Sequence, residues 1–176
     1  TYETDNAKGI SASEKNIFIM TSNSVQKISK DSGKAEDIFD VSSAKSMDTF
    51  GDNVYVLDEK TINKYRPNAY AKEDYFTSDE TLTDPSSIAI DSSIYVVDNG
   101  KIRKFTRGAE DSFTYAGPAL SNKSLAYTDE DYANLYVVDP TSKMVYVIDK
   151  SGNKVSEISL KGTRTITGIA ANEKDK

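Results

Sequence analysis

An all-β fold built from repeated four-stranded units is predicted by three observations. A β-branched and aromatic run recurs at a near-constant spacing, the same strand-like segments surround each copy in the same order, and no stretch keeps a helical period. The run appears as Ile17-Phe18-Ile19-Met20, Val54-Tyr55-Val56-Leu57-Asp58, Ile94-Tyr95-Val96-Val97-Asp98 and Leu135-Tyr136-Val137-Val138-Asp139. From Ile17 to Val54 is 37 residues, to Ile94 a further 40 and to Leu135 a further 41. Three copies end in Asp; the first has Thr21 in that place.

A first strand precedes each run and begins with a small residue followed by an apolar one: Gly9-Ile10-Ser11-Ala12, Ser46-Met47-Asp48-Thr49, Ser87-Ile88-Ala89-Ile90 and Ser124-Leu125-Ala126-Tyr127. Small side chains suit a crowded inner position. A fifth copy, Gly168-Ile169-Ala170-Ala171-Asn172-Glu173-Lys174, nearly repeats Gly9-Ile10-Ser11-Ala12-Ser13-Glu14-Lys15. The recurring run itself is the second strand. The third follows as Val25 to Ile28, Ile62 to Tyr65, Ile102 to Phe105 and Val145 to Ile148. Its two apolar ends face opposite ways, because side chains alternate along a strand, so it needs cover on both faces. A weaker fourth segment, Glu36 to Phe39, Asp74 to Phe76, Phe113 to Tyr115 and Val155 to Leu160, mostly carries acids, Ser and Thr, as an outer edge strand does. Turn signals agree: Asp98-Asn99-Gly100 reads as a hairpin, and Asp84-Pro85 and Gly117-Pro118 mark connections between repeats.

A repeat of about 40 residues holding four short antiparallel strands is the pattern of a β-propeller blade. Such a sheet has two apolar faces and buries them only by stacking on neighbours. The chain is therefore expected to be a β-propeller domain or segment with four four-stranded antiparallel blades at 9–40, 46–79, 87–117 and 124–160, plus one extra inner strand at 165–172. A spare inner strand does not belong to a neat ring of four, so part of a larger propeller is expected.

The pattern Ser87-Ile88-Ala89-Ile90-Asp91, Ile94-Tyr95-Val96-Val97-Asp98, Ile102-Arg103-Lys104-Phe105, with its counterpart in Leu135 to Asp149, resembles NHL-type propellers and related bacterial families, whose rings usually have six blades. That family often carries Asn and Arg between the Asp and the third strand; Ser142 and Met144 stand there in the last repeat, and the third repeat has a shortened turn. The resemblance implies a sensor or scaffold domain of a larger bacterial protein, displayed outside the cytoplasm.

Composition narrows the chemistry. With no Cys and no His, disulfides, thiolate or imidazole metal sites, thiol nucleophiles and Ser-His-Asp triads are ruled out. A net charge of −6 argues against a general nucleic-acid binder, although some NHL propellers bind RNA through a basic face. No apolar run approaches the roughly 18 residues of a membrane-spanning helix, so direct membrane insertion is not expected. No cofactor or metal is expected either.

The candidate binding residues are the repeated Asp58, Asp98 and Asp139, and the pair Tyr127 and Tyr132. A ring of carboxylates at equivalent blade positions suits a cation or a basic peptide; the alternative is that each Asp caps its turn by accepting backbone N–H bonds. Tyr127 and Tyr132 flank an acidic turn, as a recognition surface does. Asp79 to Asp84 and Thr128 to Tyr132 are oxygen-rich loops without the ligand spacing of a calcium loop. Lys101, Arg103, Lys104 and Arg107 form a basic cluster whose stems suit covering a blade edge. Asp48 stands out as an acid in an inner strand. The leading expectation is a non-catalytic module displaying blade loops to a protein, peptide or glycan. The alternatives are a carboxylate-based hydrolase or lyase, and an assembly unit that self-associates through open blade faces.

Overall fold

The computed structural model describes residues 6–162 and 165–173. All sixteen elements among the described residues are strands, in four separate four-stranded antiparallel sheets. The first sheet holds β1 (Gly9–Ala12), β2 (Asn16–Met20), β3 (Ser24–Ser29) and β4 (Ala35–Asp40). The second holds β5 (Ser46–Phe50), β6 (Asn53–Leu57), β7 (Ile62–Tyr65) and β8 (Lys72–Asp74). The third holds β9 (Pro85–Ile90), β10 (Ile94–Asp98), β11 (Lys101–Thr106) and β12 (Ala109–Glu110). The fourth holds β13 (Leu125–Tyr127), β14 (Asn134–Asp139), β15 (Met144–Asp149) and β16 (Lys154–Ser159). Each sheet is a meander of consecutive strands, as a blade requires.

The core lies between the blades, and strand alternation builds it. Val54 and Val56 of β6 face Phe18, Met20 and Val25 of the first blade, while Tyr55 and Leu57 face the third. Ile94 and Val96 of β10 join that second layer, and Tyr95 and Val97 join Leu135, Val137 and Ile148 of the fourth blade. In β6 and β10 the recurring run is thus apolar at successive positions because both its faces are covered, while in β2 Ile17 and Ile19 are only half-buried. Burying one such side chain stabilises by about 1.5–3 kcal/mol. Aromatics in or just after the outer strands close the layers. Phe39 stacks on Tyr65 with centroids 3.7 Å apart, Phe76 meets Phe105 at 5.0 Å and Phe113 meets Tyr95 at 6.0 Å.

Inner, second and third strands fall where the sequence places them, and Asn99 (φ 47°) with Gly100 (φ 80°) makes the expected hairpin turn. The outer strands differ. In the third blade the outer strand is Ala109–Glu110, not Phe113 to Tyr115. Arg107 (φ 54°) and Gly108 (φ 89°) form a two-residue turn that pairs Thr106 with Ala109 at once. Phe113 and Tyr115 lie beyond the ladder and pack onto the layer between blades three and four. In the second blade the outer strand ends at Asp74, and Tyr75 and Phe76 pack similarly. The extra inner strand expected at 165–172 forms no ladder with any other described residue. Residues 165–173 run beside the fourth blade without pairing as a strand.

Candidate binding face

The four inner strands pack side by side in chain order, and hydrogen bonds between them fix their direction. The Ile88 N–H donates to Ser46 Oγ (3.4 Å) and the Ile90 N–H to Asp48 Oδ2 (2.9 Å), so β5 and β9 run the same way. One blade on, the Ala126 N–H donates to Ser87 Oγ (3.0 Å). Strands of separate sheets share no ladder, so their facing N–H groups need another acceptor. The small polar residue that begins an inner strand supplies one.

Asp48 extends this stitching across three blades. Its Oδ1 accepts from Ser11 Oγ of β1 (2.8 Å) and from the Thr49 N–H (2.8 Å), while its Oδ2 holds the Ile90 N–H of β9. Ser11 Oγ also lies 2.8 Å from Thr49 Oγ1. Burial among the strand ends raises the Asp48 carboxyl to about 6, with the three hydrogen bonds opposing that shift.

Because the inner strands run together, their ends define two rims with different charge. Lys8 and Lys45 precede β1 and β5; Glu14 follows β1, and Asp129 and Glu130 follow β13. These residues line one cavity of about 1600 Å³ that runs the length of the inner strands of all four blades. Residues 167–170 line it too. Its wall is not uniformly polar: Ile10 is 71% exposed and Phe50 is 36% exposed, both facing it.

Of the residues singled out in the sequence, Tyr127 lines this cavity, and Tyr132 meets it edge-on with centroids 6.0 Å apart. Burial and the neighbouring Tyr132 and Asp129 push the Tyr127 hydroxyl up to about 12, so it stays a neutral donor. Tyr132 donates to the Ala171 carbonyl (2.6 Å). The three Asp residues sit elsewhere, where second strands meet the connection entering their own blade. Asp98, 1% exposed, accepts from the Thr83 N–H (2.9 Å), the Asp84 N–H (2.8 Å) and Arg103 Nη1 (3.0 Å). Asp139 accepts from Ser121 Oγ (2.6 Å) and the Thr141 N–H (2.9 Å). Burial works against its charge, but the hydrogen bonds outweigh that and hold the carboxyl below its usual range. Asp58 accepts from Ser43 Oγ and from the Glu59 N–H. All three hold the connection entering their blade, and Asp58 and Asp139 also accept a turn N–H, whereas Asp98 accepts none from its own turn.

Arg103, from the basic cluster, is also tied inward. It pairs with Glu110 at 2.6 Å and Asp98 at 3.0 Å, and donates to the Thr81 carbonyl (2.7 Å). The Arg103 hydrogen bonds hold the Glu110 carboxyl below its usual range. Lys104 lies 3.5 Å from Asp111. Among the described residues no group of three acids converges as a metal ion would need.

Sequence reading flagged Asp48 as unusual but not as a three-blade tie, since its partners lie 37 and 42 residues away. Phe50 lies outside the residues that the sequence pattern singles out. The signal available was an aromatic closing an inner strand, next to the tight turn at Gly51.

No protein-family model matches the chain, and no curated protein is similar to it in sequence. Solved structures do match. A chain of a nidogen–laminin complex superposes with a TM-score of 0.71 at 15% identity over 90% of this chain. The chain folds as a β-propeller. A structural-genomics protein of unknown function from Bacteroides thetaiotaomicron and hydrazine synthase from Kuenenia stuttgartiensis each match the propeller with a TM-score of 0.63 at 17% identity, over 88% and 89% of it. The propeller spans 66%, 44% and 50% of these three matched chains, respectively. Likeness at this identity speaks to the fold, and one match is an enzyme by its name, so the site has to carry the argument about function.

Proposed function

We propose that this propeller is a non-catalytic binding module whose ligand is an extended protein or peptide segment lying against the inner-strand face. The observation that carries this reading is the cavity itself. All four inner strands line it, it holds exposed Ile10 and Phe50, and its two rims differ in charge. Apolar side chains in a concave, partly charged wall give affinity by burial and orientation by charge. A ligand segment with basic groups toward Glu14, Asp129 and Glu130 fits that polarity. The blades provide rigid display, because each inner strand is fixed to its neighbours by packing and by the Ser and Asp48 bonds.

The nidogen–laminin match is a propeller found in a protein complex, which is consistent with protein binding. A glycan is the less favoured ligand, since Tyr127 and Tyr132 meet edge-on and do not present a flat stacking platform. A carboxylate-based hydrolase is the less favoured reading, since its general acid would need a raised carboxyl together with a free oxygen. Asp48, the acid whose carboxyl is raised there, has both oxygens occupied by hydrogen-bond donors.

The test is a screen of basic and neutral peptide libraries, followed by titration of the best binder. Phe50→Ser and Asp129→Lys should each weaken binding about tenfold, the loss expected for one buried aromatic anchor or one reversed charge. Unchanged affinity in both variants, or Asp48-dependent hydrolysis of a peptide or glycan, would overturn the reading.

A further inference from the structure

We infer that residues 168–171 form an open edge that accepts an antiparallel strand, and that its occupant is an aliphatic strand with the alternation of β2. Three observations converge on this. The segment Gly168 to Lys174 matches Gly9 to Lys15 at five of seven positions, so in sequence it is an inner strand.

It also sits where an inner strand sits. Between the first two blades, Asp52 accepts from Ser13 Oγ (2.5 Å) and Asn16 Nδ2 (3.1 Å). At the fourth blade Glu173 takes that role: it accepts from Asn134 Nδ2 (3.0 Å), the Asn134 N–H (3.2 Å), the Ala133 N–H (2.8 Å) and the Tyr136 hydroxyl (2.9 Å). An acid at the end of the following inner strand thus grips the Asn that begins a second strand, at both places. These bonds hold the Glu173 carboxyl below its usual range although burial opposes them.

Finally, each of the four other inner strands pairs with a second strand, and among the described residues 168–171 pairs with none. Gly168 and Ala170 are exposed. A held strand with an unpaired edge is the geometry of β-augmentation, in which main-chain bonds give affinity and alternate side chains give fit.

The register follows from β1. There Gly9 faces Met20, Ile10 faces Ile19, Ser11 faces Phe18 and Ala12 faces Ile17. By the repeat, Gly168, Ile169, Ala170 and Ala171 would face the same four residue types in the incoming strand. The Ser13 N–H donates to the Asn16 carbonyl (2.9 Å). Alternation then makes Ser11 a hydrogen-bonded position of the ladder, and Ala170 its equivalent.

The test uses the full chain and a fluorescent peptide carrying the chain's own residues 16–29. The peptide should bind with saturable anisotropy and protect the amides of 168–171 from hydrogen exchange. Ala170→Pro removes the donor at an exposed position and should weaken binding about tenfold or more without shifting Tm. A scrambled peptide should not bind. Absence of binding by the 16–29 peptide, or binding that Ala170→Pro leaves intact, overturns the assignment. A concentration-dependent dimer that Ala170→Pro dissolves would give the edge to a second copy and overturn the occupant.

Discussion

Asp48 and Asp98 show how the same side chain serves two different balances. Asp98 is fully buried, but two backbone N–H groups and the Arg103 guanidinium surround it. Asp98→Ala leaves those donors unmet and should cost about 2–4 kcal/mol in urea unfolding. Asp48 has three donors and no cationic partner, and its carboxyl is raised to about 6. The fold therefore holds a proton there at pH values where the unfolded chain has already lost it. Its contribution to stability is greatest below the ordinary Asp range and falls as pH rises toward and through about 6. Glu110, Asp139 and Glu173 act the other way, because their carboxyls are lowered and they lose stability on acidification. Asp48→Asn isolates the first effect. Relative to the parent, the variant should gain on the order of 1–3 kcal/mol between about pH 4 and pH 7 in thermal or urea melts. A difference that does not change with pH would show that Asp48 titrates normally. None of this was legible at Asp48 from sequence, since its partners belong to two other blades. An Asp before Asn-Gly suggests a cap on its own turn, but Asp98 instead holds the N–H groups of the incoming connection at Thr83 and Asp84, and neither these partners nor Arg103 was legible from sequence.

At the scale of elements, glycines in the outer hairpins join one blade to the chain leaving the previous blade. The Thr77 N–H donates to the Gly108 carbonyl (3.1 Å), and the Ala116 N–H donates to the Gly152 carbonyl (2.9 Å). Both glycines have positive φ, and a Cβ at Gly108 would lie 2.5 Å from the Tyr75 carbonyl oxygen. Gly108→Ala should therefore cost at least about 2 kcal/mol by strain and lost contact. Gly51→Ala is the control: φ is also positive, but nothing lies within 4 Å, so about 1 kcal/mol is expected. Equal losses for the two would remove the connection-clamp role. The inner, second and third strands were readable because both faces of each blade demand apolar residues on a fixed alternation. Outer strands have one ladder partner and little cover, so their sequence carries no comparable pattern. Phe113 and Tyr115 look like strand residues for a different reason: they fill the layer between blades beyond the end of the ladder.

For the whole molecule, the repeat length and strand order were enough to give a propeller, since blades that must cover each other leave few other packings. The proposed binding face was only partly legible. Tyr127 and Tyr132 stand out by their acidic surroundings, whereas Phe50 and the charge difference between the rims emerge only once the inner strands are known to run in parallel. Charge complementarity should also show in solution: affinity for a basic peptide should fall with added salt, and Glu130→Lys should lessen that fall. The most direct measurement is amide and methyl chemical-shift mapping of the full propeller with the tightest peptide from the library screen. Perturbations are expected along the inner strands, centred on Phe50, Tyr127 and Asp129, with the outer strands β4, β8, β12 and β16 unchanged. Perturbations confined to those outer strands, or to the connections held by Asp58, Asp98 and Asp139, would contradict the proposed binding face.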